Sequence, residues 1–80
     1  MSPQILDVRT PGEFAGGHAP NSFNIPLDQL EARVGELAKD RPVILCCATG
    51  SRSGMATQWL RALGYDASNA GPWQAVRSRA

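Results

Sequence analysis

Two adjacent cysteines, Cys46 and Cys47, lie at the end of an unbroken apolar run that begins at Val43. A run this apolar predicts a strand covered on both faces, as in a parallel sheet. Ligands of open parallel sheets bind beyond the carboxyl ends of the strands, which is where Cys47 would stand. Six residues, from Cys47 to Arg52, then separate this strand from a helix, and Gly50 permits a sharply curved path. Cys47 is therefore the candidate nucleophile.

The loop after Cys47 has the composition of an anion site. A tight loop of this kind turns successive backbone N–H groups inward, where they hold a negative charge. The N-terminus of the following helix adds partial positive charge, and both effects favour the thiolate over the thiol. Arg52 adds a planar guanidinium that suits an oxyanion. The pattern predicts nucleophilic attack by Cys47 on an anionic substrate, with no histidine base required.

Bridging and metal-binding roles for the cysteines are disfavoured. A disulfide between neighbours in an extended segment would be strained, because their side chains point to opposite faces. His18 is the only histidine, and the other possible ligands lack the spacing of a zinc site. We therefore expect no metal. Cys46 is predicted to be a small buried apolar residue, and His18 to make a structural hydrogen bond in a loop.

Short strands alternate with helices along the chain, which predicts an open α/β sheet. The first strand is expected within residues 4–8. A helix should follow it, because Thr10 and Glu13 form a capping box around a proline. A minimal second strand is expected at residues 23–25.

The second half of the chain continues the alternation. Asp28 and Glu31 suggest another capping box, and the apolar stripe over residues 27–37 predicts one helix. After the Cys47 strand, an apolar face over residues 55–63 predicts a helix that Gly64 ends in a left-handed cap. Residues 66–70 and 72–76 are expected to form a last short strand and a helical turn.

Composition limits the classes of function. Eighty residues fit one small domain, and with eleven alanines but only fourteen Leu, Ile or Val residues its core should be thin. Eight basic and seven acidic residues nearly balance, so the net charge is too small to attract nucleic acid or an anionic membrane. The longest apolar run, residues 43–48, is far shorter than the roughly 20 residues of a membrane span. The first residues do not resemble a signal peptide, so we expect a soluble cytoplasmic protein.

Several segments, in this order and spacing, together carry a family resemblance. They are Asp7–Phe14 (DVRTPGEF), Gly17–Pro20 (GHAP), Asn24–Pro26 (NIP), Cys47–Ser53 (CATGSRS), Leu60–Tyr65 (LRALGY) and Asn69–Gly71 (NAG). Each is weak alone, but jointly they resemble the rhodanese (thiosulfate sulfurtransferase) family in its short single-domain form. The resemblance covers nearly the whole chain.

The resemblance implies a single rhodanese-like domain over residues 1–80, with a small, mostly parallel sheet of about four strands flanked by helices on both faces. It implies that Cys47 accepts a sulfane sulfur from a small anionic donor such as thiosulfate, forming a persulfide. The sulfur would pass to cyanide in an assay, and in the cell to a thiol or dithiol, possibly on a protein. No organic cofactor, nucleic acid or membrane is implied, and we expect a monomer or weak dimer.

The resemblance also assigns roles to individual residues. Those that would bind the substrate and the persulfide are Ala48, Thr49, Gly50, Ser51, Arg52 and Ser53. Asp7 and Arg9 would support the base of the loop by hydrogen bonds, since their strand lies beside the Cys47 strand in this fold. Gly71-Pro72 stands where the family usually has two glycines, so Trp73 could line the pocket or belong to the core.

Two other functions stay open. Related phosphatases and arsenate reductases place five residues between the cysteine and the arginine, whereas four separate Cys47 from Arg52 here. The smaller loop suits one sulfur atom better than a tetrahedral oxyanion. A non-enzymatic sulfur carrier or regulatory binding module would keep the fold and depend on a partner to load Cys47. The loop carries one arginine and no lysine, so a donor other than dianionic thiosulfate also stays open.

Overall fold

A computed structural model describes residues 2–78 of the chain. Its strands are β1 (Gln4–Asp7), β2 (Ser22–Asn24), β3 (Val43–Cys47) and β4 (Ala67–Pro72). Its α-helices are α1 (Pro11–Ala15), α2 (Leu30–Arg33) and α3 (Ser51–Ala62). Three 3₁₀ segments, Leu27–Gln29, Val34–Glu36 and Trp73–Ser78, complete the order.

The four strands form one sheet in the order β2-β1-β3-β4, and every pairing among them is parallel. The predicted small parallel sheet is therefore confirmed. β3 is central and buried along its whole length, which explains its unbroken apolar run. In the β1–β3 register Asp7 lies opposite Cys46, so the carboxyl end of β1 reaches the strand end that carries Cys47.

The two faces of the sheet are covered by different elements. One face packs against α2 and α3 in a core that includes Leu6, Leu45, Cys47 and Leu60. The other face packs Cys46 in a second cluster with the 3₁₀ segment that begins at Trp73. The two cysteines thus belong to opposite faces, as alternation along a strand requires.

The first predicted capping box is confirmed and the second is wrong. Thr10 Oγ1 accepts the Glu13 N–H at 3.3 Å, and Glu13 Oε1 accepts the Thr10 N–H at 3.0 Å. Around residues 27–37, by contrast, one α-helical turn stands between two 3₁₀ segments, and its N-terminus has no side-chain cap. Gly35 within so short a segment disfavours a continuous helix. The apolar spacing still places Leu30 in the core.

Helix α3 begins at Ser51, four residues before the predicted apolar face. The connection between β3 and α3 is therefore only residues 48–50, shorter than predicted. Gly50, at φ +107°, reverses the chain in the left-handed region that glycine tolerates best. Gly64, at φ +94°, follows the helix as the predicted left-handed residue.

Strand β4 carries one irregularity beside the site. Leu45 pairs with Asn69 and the next residue, Cys46, pairs with Gly71, so Ala70 is an extra residue in β4. Such a bulge redirects the chain and the neighbouring side chains. Within residues 2–78, no helix combines the length and apolar character needed to cross a bilayer.

Candidate active site

Cys47 ends β3, and its sulfur lies inside the turn that leads into α3. Its Sγ accepts the N–H of Gly50 at 3.0 Å and the N–H of Ser53 at 3.5 Å. The Ser53 hydroxyl lies 3.3 Å from the same sulfur. The residue has no solvent-exposed surface, so the sulfur is covered by the structure around it. Of the inward-turned amides expected from the sequence, those of Gly50 and Ser53 donate to this sulfur, whereas the Ser51 N–H donates to the Thr49 hydroxyl.

These hydrogen-bond donors lower the pKa of the Cys47 thiol, although the thiol is buried. Burial raises its pKa, but hydrogen bonds from the Ser53 hydroxyl and from the backbone of Ser53, Gly50 and Thr49 outweigh burial and lower the pKa to about 7. Cys46 shows the opposite balance: burial, followed by the nearby charge of Asp7, raises its pKa to about 12. Cys47 is thus the more acidic thiol of the pair.

Gly50 brings two segments into close approach at the site. A Cβ atom at this position would lie 3.1 Å from the Cα of Gly71 in β4. A larger residue would also have to adopt φ +107°, where side chains other than glycine are disfavoured. The amide that donates to Sγ is therefore held by a turn that only glycine makes without strain.

Asn69 ties the bulge of β4 to this turn. Its Nδ2 donates to the Gly50 carbonyl at 3.0 Å, while its Oδ1 accepts the Ser53 hydroxyl at 2.7 Å and the Gly71 N–H at 2.9 Å. The single hydroxyl hydrogen of Ser53 serves either Asn69 or Cys47. When it turns to the sulfur, the Asn69 oxygen keeps the Gly71 donor. The residue types around Asn69 do not predict this role, because its partners lie 16 and 19 residues away in sequence.

Ser53→Ala is expected to raise the pKa of Cys47, because it removes the side-chain hydrogen bond that opposes the effect of burial most strongly. The fraction of thiolate at pH 7 falls accordingly. The pH dependence of iodoacetamide alkylation, followed by peptide mass, measures this shift. Ser68→Ala, on β4, is the control and should leave the midpoint unchanged. An unchanged midpoint in Ser53→Ala would exclude the hydroxyl as a thiolate donor.

Arg52 is the second residue of α3, and its guanidinium is paired with a carboxylate. Its Nη1 and Nη2 donate to the two carboxylate oxygens of Glu13 at 2.8 and 3.1 Å. Both side chains are about one-third exposed. The hydrogen bond from Arg52, followed by the Thr10 N–H, lowers the pKa of Glu13 to about 2. The predicted anion-binding arginine therefore has an internal counterion, which the residue types around Glu13 do not predict.

Asp7 and Arg9 form a buried pair beside the site. Arg9 donates to both carboxylate oxygens of Asp7, at 2.8 to 3.0 Å, and also to the Gly17 carbonyl at 2.7 Å. Asn24 donates to the main-chain carbonyls of both residues. These bonds join β1 to the chain that follows α1. The support given to the Cys47 loop is thus indirect, through the register of β1 against β3 rather than through hydrogen bonds to the loop.

The remaining predicted residues lie around the mouth of the turn. Ala48 and Ser51 are exposed, and the hydroxyl of the equally exposed Thr49 accepts the Ser51 N–H at 3.4 Å. Trp73 is half-buried and packs against the second cluster, with the Arg9 guanidinium carbon 5.2 Å from its ring centre. His18, stacked on a phenylalanine ring, bonds through Nδ1 to a backbone oxygen, as the structural interpretation expects.

This geometry defines a class: a parallel α/β domain in which a strand, a tight amide-lined turn and a helix hold an acidic cysteine. The sequence matches the family described as "Rhodanese-like domain" over residues 1–72. The chain belongs to the rhodanese-like domain family, and the resemblance stated above is confirmed.

Individual relatives agree with this assignment. "Uncharacterized protein YqhL" of Bacillus subtilis is 52% identical over 58 residues, covering 72% of this chain and 46% of the relative. A protein named "Sulfurtransferase" in Allochromatium vinosum is 38% identical over 61 residues, covering 76% and 57%. The chain thus spans about half the length of these curated relatives. The solved "rhodanese with anions from E. coli" superposes with a TM-score of 0.84 at 30% identity, covering 92% and 91%.

Proposed function

We propose that the protein is a sulfurtransferase that carries a sulfane sulfur as a persulfide on Cys47. The observation that carries this proposal is the sulfur of Cys47 held by the amides of Gly50 and Ser53 at the end of β3. Amides aimed at one sulfur stabilise a thiolate before reaction and the negative charge of a persulfide after it. The name of the Allochromatium vinosum relative supports the same reaction class.

The proposed cycle has two displacements at sulfur. The Cys47 thiolate attacks the outer sulfur of a donor such as thiosulfate; a new S–S bond forms, the donor's S–S bond breaks, and sulfite leaves with the bonding electrons. An acceptor thiolate then attacks the outer sulfur of the persulfide. Its own persulfide forms and the Cys47 thiolate is regenerated. Neither step needs a metal, an organic cofactor or an external oxidant.

The sulfur of Cys47 is covered, so a donor needs a way to reach it. Because Cys47 has no exposed surface, a donor reaches Sγ only when part of the cover over the turn moves. The two free cysteines suit a reducing compartment, which supports a cytoplasmic setting with thiol or dithiol acceptors.

The test is the mass of the intact protein after incubation with thiosulfate. We expect a gain of one sulfur atom that a thiol or cyanide removes. Cys47→Ser should abolish the gain. Cys46→Ser is the matched control and should keep it, since Cys46 is buried on the other face with its pKa raised to about 12.

Other outcomes would assign the site differently. Loading only by a cysteine desulfurase, with no gain from any small donor, would indicate the sulfur carrier. Release of phosphate from an aryl phosphate would indicate the phosphatase. A sulfur gain that persists in Cys47→Ser would overturn the role of this cysteine.

A further inference from the structure

The positive charge of the arginine that follows the Cys47 turn is neutralised by a carboxylate of the same domain. Arg52 is the sole basic residue between Cys47 and Ser53, and both of its terminal nitrogens donate to Glu13, at 2.8 and 3.1 Å. Such two-point pairing is the strongest form of guanidinium–carboxylate contact. A donor anion that used Arg52 would have to displace Glu13 or approach the pair as a whole.

Glu13 is fixed in this position by the helix that carries it. Its Oε1 accepts the N–H of Thr10 at 3.0 Å and lies 3.2 Å from the Thr10 hydroxyl, in the capping box of α1. The same oxygen receives Arg52 Nη1. One carboxylate therefore caps the N-terminus of α1 and also holds the arginine near the start of α3, 39 residues away. A freely rotating surface side chain would lose more entropy in making this pair.

The second arginine near the site does not restore positive charge. Arg9 is engaged by both oxygens of the buried Asp7. The two arginines and the two carboxylates sum to zero, so the Cys47 thiolate is stabilised by amide dipoles and not by a net cation. A dianion brought to this sulfur is therefore repelled by the Cys47 thiolate and finds no net cation to offset that repulsion.

We propose that Glu13, by holding Arg52, selects sulfur donors that bear a single negative charge at the reacting group, such as thiosulfonates and persulfides, over dianionic thiosulfate. Glu13 acts through Arg52 and is a positioning and selectivity residue. This inference rests on the function proposed above and names the class of donor for the same site.

Two small donors that deliver the same sulfur but differ in net charge isolate the effect of donor charge on loading. Thiosulfate is a dianion; methanethiosulfonate has a methyl group in place of one oxygen and is a monoanion. In each reaction the Cys47 thiolate attacks the outer sulfur, one S–S bond forms and the donor's S–S bond breaks. Sulfite leaves from the first donor and methanesulfinate from the second, each with the bonding electron pair. The product, the Cys47 persulfide, is the same.

The experiment compares Glu13→Gln with the wild-type protein at low ionic strength, using the loading rate constant for each donor. Glutamine keeps the capping box but removes the charge. Because intrinsic donor reactivities cancel in the comparison, the ratio of thiosulfate to methanethiosulfonate loading should rise by about threefold to tenfold. Added salt should shrink this gain, because the group removed is partly exposed.

Glu36→Gln is the control, because Glu36 forms a comparable two-point pair with Arg33 at an exposed position. It should leave the donor ratio unchanged. A folded Glu13→Gln protein with an unchanged ratio would overturn the selectivity inference, as would an equal rise in Glu36→Gln. Loss of loading from both donors in Glu13→Gln would show a structural role and also overturn it. If the wild-type protein is loaded by neither donor, the proposed function itself fails, and the inference falls with it.

Discussion

Arg9→Ala is expected to lower the free energy of unfolding by about 3–5 kcal/mol, because it leaves the fully buried carboxylate of Asp7 without its partner. The variant also loses the bond to the Gly17 carbonyl and the contact with the Trp73 ring. In a domain this small, with a thin aliphatic core, a loss of that size is a large part of the total stability. Urea denaturation followed by far-UV circular dichroism measures the change.

Arg33→Ala provides the matched control for charge removal. Its ion pair with Glu36 has similar geometry but lies at the surface, where such pairs contribute about 0–1 kcal/mol. The double variant Asp7→Leu/Arg9→Met, which removes both buried charges, should be more stable than Arg9→Ala. Equal stability of Arg9→Ala and Arg33→Ala would show that the buried ion pair contributes no more to the free energy of unfolding than the exposed one.

Gly50→Ala is expected to slow the loading of Cys47 by about a hundredfold, because loss of one preorganised donor to a reacting anion has effects of that order. The methyl group would meet Gly71 at 3.1 Å, and the chain at φ +107° would relax and move the amide away from the sulfur. The measurement is the rate of sulfur gain by mass, with thiosulfate and with methanethiosulfonate.

Gly64→Ala separates backbone strain from the chemistry. Gly64 also has a positive φ, +94°, but a Cβ there meets nothing within 4 Å, and the residue lies beyond the far end of α3. Both variants should lose about 1–2 kcal/mol of stability from the left-handed conformation. Only Gly50→Ala should load sulfur more slowly than the wild-type protein. Equal loading rates in the two variants would contradict the role given to the Gly50 amide.

The sequence predicted best what depends on local pattern. The end of β3 at Cys47 followed from an apolar run that a fully covered strand requires. The first capping box and the left-handed Gly64 followed from residue types whose backbone preferences are strong. The same apolar run and the alternation of elements indicated a parallel sheet, and the family resemblance implied about four strands with helices on both faces.

The features that were not predicted depend mostly on contacts between distant parts of the chain. The pairing of Glu13 with Arg52 joins α1 to α3, and the sequence around Glu13 indicates only a capping box. Asn69 bonds to Gly50 and Ser53, 19 and 16 residues away in sequence, and nothing in the residue types of β4 signals these contacts. The turns over residues 27–37 show that an apolar stripe fixes which side chains are buried without fixing which helix type carries them.

The burial of Cys46 and Cys47 on opposite faces of β3 bears on how long a sulfur load would last. In many thiol enzymes a nearby resolving cysteine attacks the modified sulfur and closes an internal disulfide. Here the one other cysteine faces away across the sheet and stays protonated, with its pKa raised to about 12. A persulfide on Cys47 would then be discharged only by a thiol from outside the domain, and its lifetime would be set by encounters with that acceptor.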